Sequence, residues 1–144
     1  MRHTPLLKIM SKPVITVKIN EPFSHVEEKF RIKGIRHLPV IDDHDILVGL
    51  LTQRDLFRTV APHKDLEGNA SYDPEVLNRF ILKNVMTKNP TTLTPNDSIE
   101  KAVRVMAENR YGCMPIVDPA MRLAGIITEI DILKFLLARF KEEG

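Results

Sequence analysis

Apolar and polar residues alternate along this chain with two periods, one typical of strands and one typical of helices. The apolar run VITV at 14–17 is followed by Phe23, Val26 and Phe30. Their spacing of three and four residues predicts the buried face of an amphipathic helix. Two more apolar runs, LPVI and LVGLLT, flank the polar turn DDHD and predict a pair of strands. With a second helix predicted after Thr52, the order is β-α-β-β-α.

The same order returns in the second half of the chain. Ile9–Arg58 aligns with Val85–Lys134 without a gap, an offset of 76 residues (85 − 9). Most apolar positions stay apolar, and the identical positions gather at turns and strand ends. They include Met10/Met86, Pro39/Pro115, Gly49/Gly125, Thr52/Thr128 and Asp55/Asp131. A unit of about 50 residues buries little surface alone, so two copies are expected to share one fold.

The pattern divides the chain into three segments. Residues 1–60 form the first repeat with an N-terminal lead-in, and residues 85–144 form the second repeat with a C-terminal helix. Residues 61–84 form a linker with a short helix, for which Asp73 is the predicted N-cap and Pro74 the first residue. In the second repeat, Asp97 and Glu100 predict a capping box at the start of the first helix.

Composition narrows the class of protein. The chain has 43% hydrophobic and 28% charged residues with a formal net charge of +2, so charge gives no case for nucleic acid or an anionic membrane. The single Cys113 excludes an intrachain disulfide. We find no secretory signal and no apolar run of the roughly 18 to 20 residues that span a bilayer. The expected location is the cytoplasm.

Thr and Asp recur three residues apart at the start of the second helix of each repeat, in GLLTQRD (49–55) and GIITEID (125–131). Such a pair can form a helix capping box that needs no ligand. The helix also follows a strand directly, at an edge where α/β proteins tend to bind ligands. Unpaired amides at a helix start attract phosphate, and a carboxylate can accept both hydroxyls of a ribose. The two roles are compatible.

The repeats differ in charge near this motif. The first has Arg36 and His37 before its second strand, and Arg54 inside the motif. The second has Gly112, Cys113 and Ile130 at those positions. Because arginine binds phosphate through two donors and histidine adds another, the asymmetry predicts two sites with different ligand preferences.

The combined motifs resemble the CBS domain, which occurs in tandem pairs called Bateman modules. The matching pieces are IMSKPVITV with VMTKNPTTL, IRHLPVID with YGCMPIVD, and GLLTQRDL with GIITEIDI. They cover nearly the whole chain, which leaves no room for an attached enzyme domain. The chain looks most similar to stand-alone prokaryotic CBS pairs of the acetoin-utilisation type. The resemblance implies an α/β (α+β) fold of two β-α-β-β-α repeats packed with pseudo-two-fold symmetry.

The resemblance also implies a ligand and its contacts. The family binds adenosyl compounds, so AMP, ADP, ATP or S-adenosylmethionine is expected in clefts between the repeats, and no cofactor is required. The motif's Asp holds the ribose and its Thr lies near the phosphates, which implies roles for Thr52, Asp55, Thr128 and Asp131. The basic loop of one repeat often faces the motif of the other, which implies that Arg36 and His37 join Thr128 and Asp131, with Arg54 near the other site. Adenine is expected against Val14, Ile15, Thr91 and Thr92, and ordinary core packing is the alternative for Val14 and Ile15.

The remaining signals point away from catalysis. The histidines show no metal-ligand spacing with Cys113 or the acidic residues, and no catalytic arrangement stands out, so we expect neither an enzyme nor a metal site.

The last helix carries a wide apolar surface, with a stripe at Ile132, Leu133, Leu136, Leu137 and Phe140 and with Phe135 and Ala138 beside it. This surface predicts a homodimer, and packing against the linker helix is the alternative. The functional hypothesis is a regulatory ligand sensor with an unidentified target protein; a ligand-free interaction module and nucleic-acid binding are the alternatives.

Overall fold

The computed structural model describes residues 1–144. The chain forms two compact units. One unit consists of Met1–Val14 together with Thr91–Gly144, and the other is Ile15–Pro90. We refer to them as the split unit and the central unit. The N-terminal lead-in, which the sequence pattern attaches to the first repeat, therefore lies with the body of the second repeat.

The central unit is a four-stranded sheet with helices packed on it. Its sheet has the order β1 (Val17–Lys18), β2 (His37–Ile41), β3 (Leu47–Thr52) and β6 (Thr87–Lys88). β1 and β2 are parallel, and the other pairs are antiparallel. Its core is formed mainly by Leu, Val and Phe side chains from both sheet and helices. In chain order its elements are β1 (Val17–Lys18), α1 (Phe23–Lys33), β2 (His37–Ile41), β3 (Leu47–Thr52), α2 (Gln53–Thr59), the short hairpin β4 (His63–Lys64) and β5 (Ala70–Ser71), α3 (Pro74–Leu77), α4 (Leu82–Val85) and β6 (Thr87–Lys88).

The split unit repeats this architecture with fewer regular strands. An antiparallel pair, β7 (Cys113–Val117) and β8 (Leu123–Thr128), packs against α5 (Ile99–Asn109) and α6 (Glu129–Glu143). A 3-10 helix at Leu6–Lys8 lies in the N-terminal segment, and Leu6 is fully buried in this core. The fold class and the β-β-α half of each repeat are confirmed.

Each lead-in segment pairs with the repeat that it does not precede. Ser11 bridges Ile126 of β8, and the corresponding Thr87 pairs with Leu50 of β3. Two glycines permit this close approach: a Cβ on Gly125 would overlap the Met10 side chain, and a Cβ on Gly49 would overlap that of Met86. The glycine recurs at the same place in both repeats because a methionine lies across it.

The predicted first strands are shorter than the apolar runs. In VITV only Val17 belongs to β1, and in TTL only Leu93 bridges a neighbour, Ile116. Residue 16 is bound differently, because the Lys29 ammonium donates to the Thr16 carbonyl oxygen at 2.6 Å. The Lys29 ammonium group of α1 thus takes the place of a backbone N–H donor from a neighbouring strand.

The capping box predicted from Asp97 and Glu100 was wrong. The first helix of the second repeat begins with Ser98 as its N-cap, whose hydroxyl accepts from Lys101 N–H; the Asp97 carboxylate instead turns back to the Thr94 N–H at 2.8 Å. The short linker helix starts at Asp73 and Pro74 as predicted, and α3 has four residues. Asn78 follows it, and its side-chain oxygen accepts a hydrogen bond from Ser24 N–H of α1.

Candidate functional site

The strand-to-helix junction of the central unit is closed by Thr52 and Asp55. The Asp55 Oδ2 accepts from the Thr52 N–H at 2.8 Å and from the Thr52 hydroxyl at 3.1 Å, while the Asp55 N–H donates back to the Thr52 hydroxyl. This is a complete capping box at the start of α2. Both residues are half-buried, and Oδ1 of Asp55 accepts no hydrogen bond from the protein.

The split unit has the same junction with one addition. Asp131 Oδ2 accepts from the Thr128 N–H at 2.9 Å and from its hydroxyl at 3.1 Å, which completes a capping box at the start of α6. The second oxygen, Oδ1, accepts from the Ser11 hydroxyl at 3.0 Å. Sequence reasoning missed Ser11 because it lies 120 residues away from Asp131 along the chain.

A third Thr-x-x-Asp in the same chain shows that these hydrogen bonds alone do not define a ligand site. Asp97 Oδ2 accepts from the Thr94 N–H and hydroxyl, at 2.8 and 3.2 Å. This pair closes the turn before α5 and follows no long strand. Burial opposes ionisation of Asp97, but the Thr94 N–H and the Lys101 ammonium outweigh it and lower the pKa of the carboxyl group. The position at a strand-to-helix junction, and not the local bonds, distinguishes the other two pairs.

The basic residues of the first repeat lie beside its own junction. His37 is directly opposite Thr52 in the β2–β3 ladder, and the Arg36 carbonyl accepts from Gln53 N–H at 2.9 Å. Arg36 and Arg54 are exposed, and no ion pair of the structure involves either guanidinium group. The central unit therefore holds two uncompensated positive charges at this edge. That Arg36 and His37 act with Thr128 and Asp131 stays a prediction.

The corresponding edge of the split unit has the opposite character. Cys113 lies opposite Thr128 in the β7–β8 ladder, and Gly112 O accepts from Glu129 N–H. Burial, and to a smaller extent the negative charge of Glu129, raises the pKa of the Cys113 thiol to about 12. This thiol is buried and protonated at neutral pH. Glu129 was also missed, although its alignment with the neutral Gln53 could have drawn attention to it.

The four residues expected near adenine lie in irregular backbone at the start of each repeat. Ile15 belongs to the central unit and packs against its core; Val14, Thr91 and Thr92 belong to the split unit. None of their backbone N–H groups donates a hydrogen bond within the protein. The Thr91 hydroxyl lies 3.3 Å from the hydroxyl of Tyr111. Their role toward a ligand stays a prediction.

The structure shows neither a cluster of metal ligands nor a membrane-spanning helix. No group of three or more His, Cys, Asp and Glu side chains is arranged to hold a metal ion. None of the helices combines the length and the apolar character needed to cross a bilayer.

Solved structures resemble the chain over nearly its full length. The CBS domain pair of protein MJ0100, crystallised with 5′-methylthioadenosine and S-adenosyl-L-methionine, matches with a TM-score of 0.78 and 25% identity over 94% of this chain and 98% of that one. An acetoin utilisation protein (AcuB) from Vibrio cholerae shares the fold, with a TM-score of 0.78 and 23% identity over 98% and 97% of the two chains.

Related sequences differ in length from this chain. Protein MJ1225 of Methanocaldococcus jannaschii is 30% identical over 93% of this chain, which spans 43% of that protein, and the chain spans about a quarter of a Methanohalobium evestigatum homoserine O-acetyltransferase that is 28% identical. A CBS domain-containing protein of Dictyostelium discoideum is 28% identical over 90% of this chain and 89% of its own length. The family model for the CBS domain matches twice, at residues 7–62 and 82–138. The chain therefore belongs to the CBS domain family.

Proposed function

We propose that this CBS pair is a regulatory module that binds adenosyl compounds at its two Thr–Asp junctions. The observation that supports this most is the duplicated arrangement itself: in each unit a half-buried carboxylate is held by a capping box at the point where a strand passes into a helix. The MJ0100 pair, which matches this chain at 25% identity, was crystallised with two adenosyl ligands. A ligand of the same class is proposed here.

The chemistry of the junctions suits a ribose. An ionised carboxylate has only acceptor oxygens, with about four lone-pair positions, so it can accept the two neighbouring hydroxyls of the sugar. The capping box fixes the orientation of the carboxylate through Oδ2 and leaves Oδ1 directed elsewhere. We assign Asp55 and Asp131 to the ribose hydroxyls, and Thr52 and Thr128 to the neighbouring part of the ligand.

Positive charge in the central unit favours a phosphorylated ligand. The guanidinium groups of Arg36 and Arg54 are exposed and form no ion pair, so binding a phosphate would not require breaking an existing one. His37 on β2 is a further donor in this proposal. Arginine binds phosphate in a bidentate, charge-assisted geometry. AMP, ADP and ATP are therefore the ligands to test alongside S-adenosylmethionine.

We assign adenine to the irregular segments that begin each repeat. The free backbone N–H groups of Val14, Ile15, Thr91 and Thr92 support this assignment, because a base can be recognised along its edge by main-chain donors and acceptors. Ordering of these segments by a ligand would favour one conformation of the pair, which a regulated partner protein could recognise. This partner is unidentified.

A thermal-shift screen with AMP, ADP, ATP, S-adenosylmethionine and NAD, followed by calorimetry, tests the proposal. A ligand that binds only the native state raises apparent stability, by roughly 2.7 kcal/mol at a hundredfold excess over its Kd. The double variant Asp55→Ala/Asp131→Ala is expected to lose binding. Asp97→Ala is the matched control, since it removes the same Thr–Asp hydrogen bonds elsewhere in the fold.

Three results would contradict the proposal. They are wild-type protein that binds none of these compounds, a double variant that binds them undiminished, and an Asp97→Ala variant that loses as much affinity as the double variant. The first would favour the ligand-free interaction module, and a salt-dependent gel shift would examine nucleic-acid binding directly.

We also propose that the module is a homodimer in the cytoplasm. The outer face of α6 leaves Ile130, Leu133, Leu137 and Phe140 between 52 and 61% exposed, whereas Ile132 and Phe135 on the other face pack against the core of their unit. An apolar stripe of this kind at helical spacing is typical of a surface that a second chain covers. Phe135, expected beside the stripe, is one of the residues that anchor the helix.

A further inference from the structure

The Asp131 junction contains a hydroxyl group that the Asp55 junction lacks. Ser11 Oγ donates to Asp131 Oδ1 at 3.0 Å. The serine backbone is fixed against β8 by two hydrogen bonds, from Ser11 N–H to Ile126 O at 2.9 Å and from Ile126 N–H to Ser11 O at 3.1 Å. The hydroxyl is therefore held next to the carboxylate by a ladder two residues before Thr128, and Ser11 itself is exposed to solvent.

Counting acceptor positions shows what this hydroxyl changes. Of about four lone-pair positions on a carboxylate, the capping box and Ser11 together occupy three on Asp131. The capping box alone occupies two on Asp55. Asp55 can thus accept both hydroxyls of a ribose, whereas Asp131 can accept only one while it keeps its bond from Ser11.

We infer that Ser11 is a ligand-binding residue that completes the sugar site of Asp131. This inference rests on the proposed function. One ribose hydroxyl donates to the remaining position on Asp131 Oδ1, and its neighbour donates to Ser11 Oγ, whose oxygen lone pairs are unused because its hydrogen points to Asp131. Two adjacent acceptors, one on each residue, then receive two adjacent hydroxyls without breaking any hydrogen bond of the free protein.

The other repeat provides the comparison for this inference. Thr87 is the counterpart of Ser11 and pairs with Leu50 as Ser11 pairs with Ile126, yet its hydroxyl forms no hydrogen bond with Asp55. The two junctions therefore recognise the same diol differently: Asp55 does so alone, and Asp131 does so jointly with Ser11. Removal of one hydroxyl from the sugar should expose that difference.

Calorimetry with adenosine, 2′-deoxyadenosine and 3′-deoxyadenosine tests the inference, with the full chain carrying Asp55→Ala so that the Asp131 junction is measured alone. We expect Ser11→Val to weaken adenosine binding roughly five- to tenfold, the effect of one lost hydrogen bond. Valine removes the serine acceptor, and its methyl groups cover the position on Asp131 Oδ1 that Ser11→Ala would free for the second ribose hydroxyl. For one of the two deoxy compounds, which lacks the hydroxyl that Ser11 accepts, Ser11→Val should change the affinity less than twofold. In the matched Asp131→Ala background, Thr87→Val should leave all three affinities unchanged.

The outcomes separate the two proposals. A Ser11→Val variant that binds all three compounds equally weakened, unchanged or more tightly overturns the role of Ser11, while binding of adenosine by the Asp55→Ala parent upholds the proposed function. If the wild type binds neither adenosine nor any of AMP, ADP, ATP, S-adenosylmethionine and NAD, the proposed function fails, and the role of Ser11 fails with it. Thermal unfolding of each variant verifies that the exposed serine was not needed for folding.

Discussion

The junctions β3–α2 and β8–α6 have the same backbone plan and different chemical surroundings. Each has a threonine as N-cap, an aspartate that returns to the threonine N–H, and a glycine earlier in the strand beneath a methionine. Around this plan, the central unit presents Arg36 and Arg54, whereas the split unit presents Glu129 and a buried thiol.

This comparison separates what the fold requires from what varies around it. The capping box recurs because the first N–H groups of a helix that follows a strand directly need hydrogen-bond acceptors. The glycine recurs because a methionine side chain lies directly against it in each unit. The surrounding charges contribute little to that requirement, since exposed charges change stability by only about 0 to 1 kcal/mol. They are free to differ between repeats, and they do so at the edge where a ligand is proposed.

The largest expected effect concerns Cys113, the counterpart of His37. At pH 8 its thiolate population should be about a thousandfold below that of the unfolded chain, because burial raises its pKa from 9.0 to about 12. Labelling by a thiol reagent should be slower by at least that factor in native protein than in urea. Equal rates in the two states would contradict the buried, protonated thiol.

The same shift predicts the stability of the protein in alkali. The folded state holds the thiol proton more tightly than the unfolded state, so the free energy of unfolding contributed by Cys113 is complete below pH 9 and falls as the pH rises toward 12. Cys113→Ala should reduce this decline in urea melts between pH 8 and 10. An identical decline in the variant would show that other groups cause it.

The next prediction concerns the exposed apolar stripe of α6. This helix is longer than its counterpart α2. Leu133→Asp/Leu137→Asp should weaken self-association roughly a hundredfold or more, because two apolar side chains are each worth about 1.5 to 3 kcal/mol when buried. Analytical ultracentrifugation measures this. Ile32→Asp, at an apolar position of α1 that is 59% exposed, is the control and should leave association unchanged. Wild-type protein that stays monomeric at all concentrations would contradict the proposed homodimer.

Arg54 allows the charge difference to be tested directly. Arg54→Ala should weaken AMP binding about tenfold, the size of one charge-assisted hydrogen bond, and should leave adenosine binding nearly unchanged. Arg58→Ala, one turn further along α2 and also exposed, should have little effect on either ligand. Equal losses of AMP affinity in both variants would indicate a general field effect instead of a phosphate contact.

The smallest expected effect tests the contact shared by both junctions. Gly49→Ala and Gly125→Ala should each reduce the free energy of unfolding by about 1 to 2 kcal/mol, because the new methyl group would displace a methionine side chain. Urea denaturation measures this, with Gly34→Ala as a control of a different kind, since Gly34 has open space but a positive φ of 64°. No loss in either strand variant would show that Met10 and Met86 move aside at no cost.

Local patterns were sufficient to predict most of the elements. Helix α1 and the strand pairs follow from apolar spacing, and the starts of α2 and α6 follow from a threonine and an aspartate three residues apart. The same local rule was wrong at Asp97, where the side chain could reach either the helix ahead or the turn behind. In the structure the Asp97 carboxylate accepts hydrogen bonds from Thr94 in the turn and from the Lys101 ammonium group, and the sequence alone does not distinguish this arrangement from a capping box.

Contacts between distant segments could not be predicted in this way. The hydrogen bond from Ser11 to Asp131 depends on the lead-in lying against β8, and Glu129 acts on Cys113 only because β7 and the start of α6 are neighbours. Neither the spacing nor the composition of the sequence contains this information. The residues that make the two junctions different are mostly of this kind.

The crossed placement of the lead-in segments has a practical consequence for anyone who divides this protein. A fragment that stops near residue 60 would carry Leu6 and Met10 without the sheet that they cover, and it would leave β3 without β6. The remaining fragment would have the opposite defect. Neither half of the duplicated sequence contains a complete unit, so each repeat depends on a segment that lies in the other half of the chain.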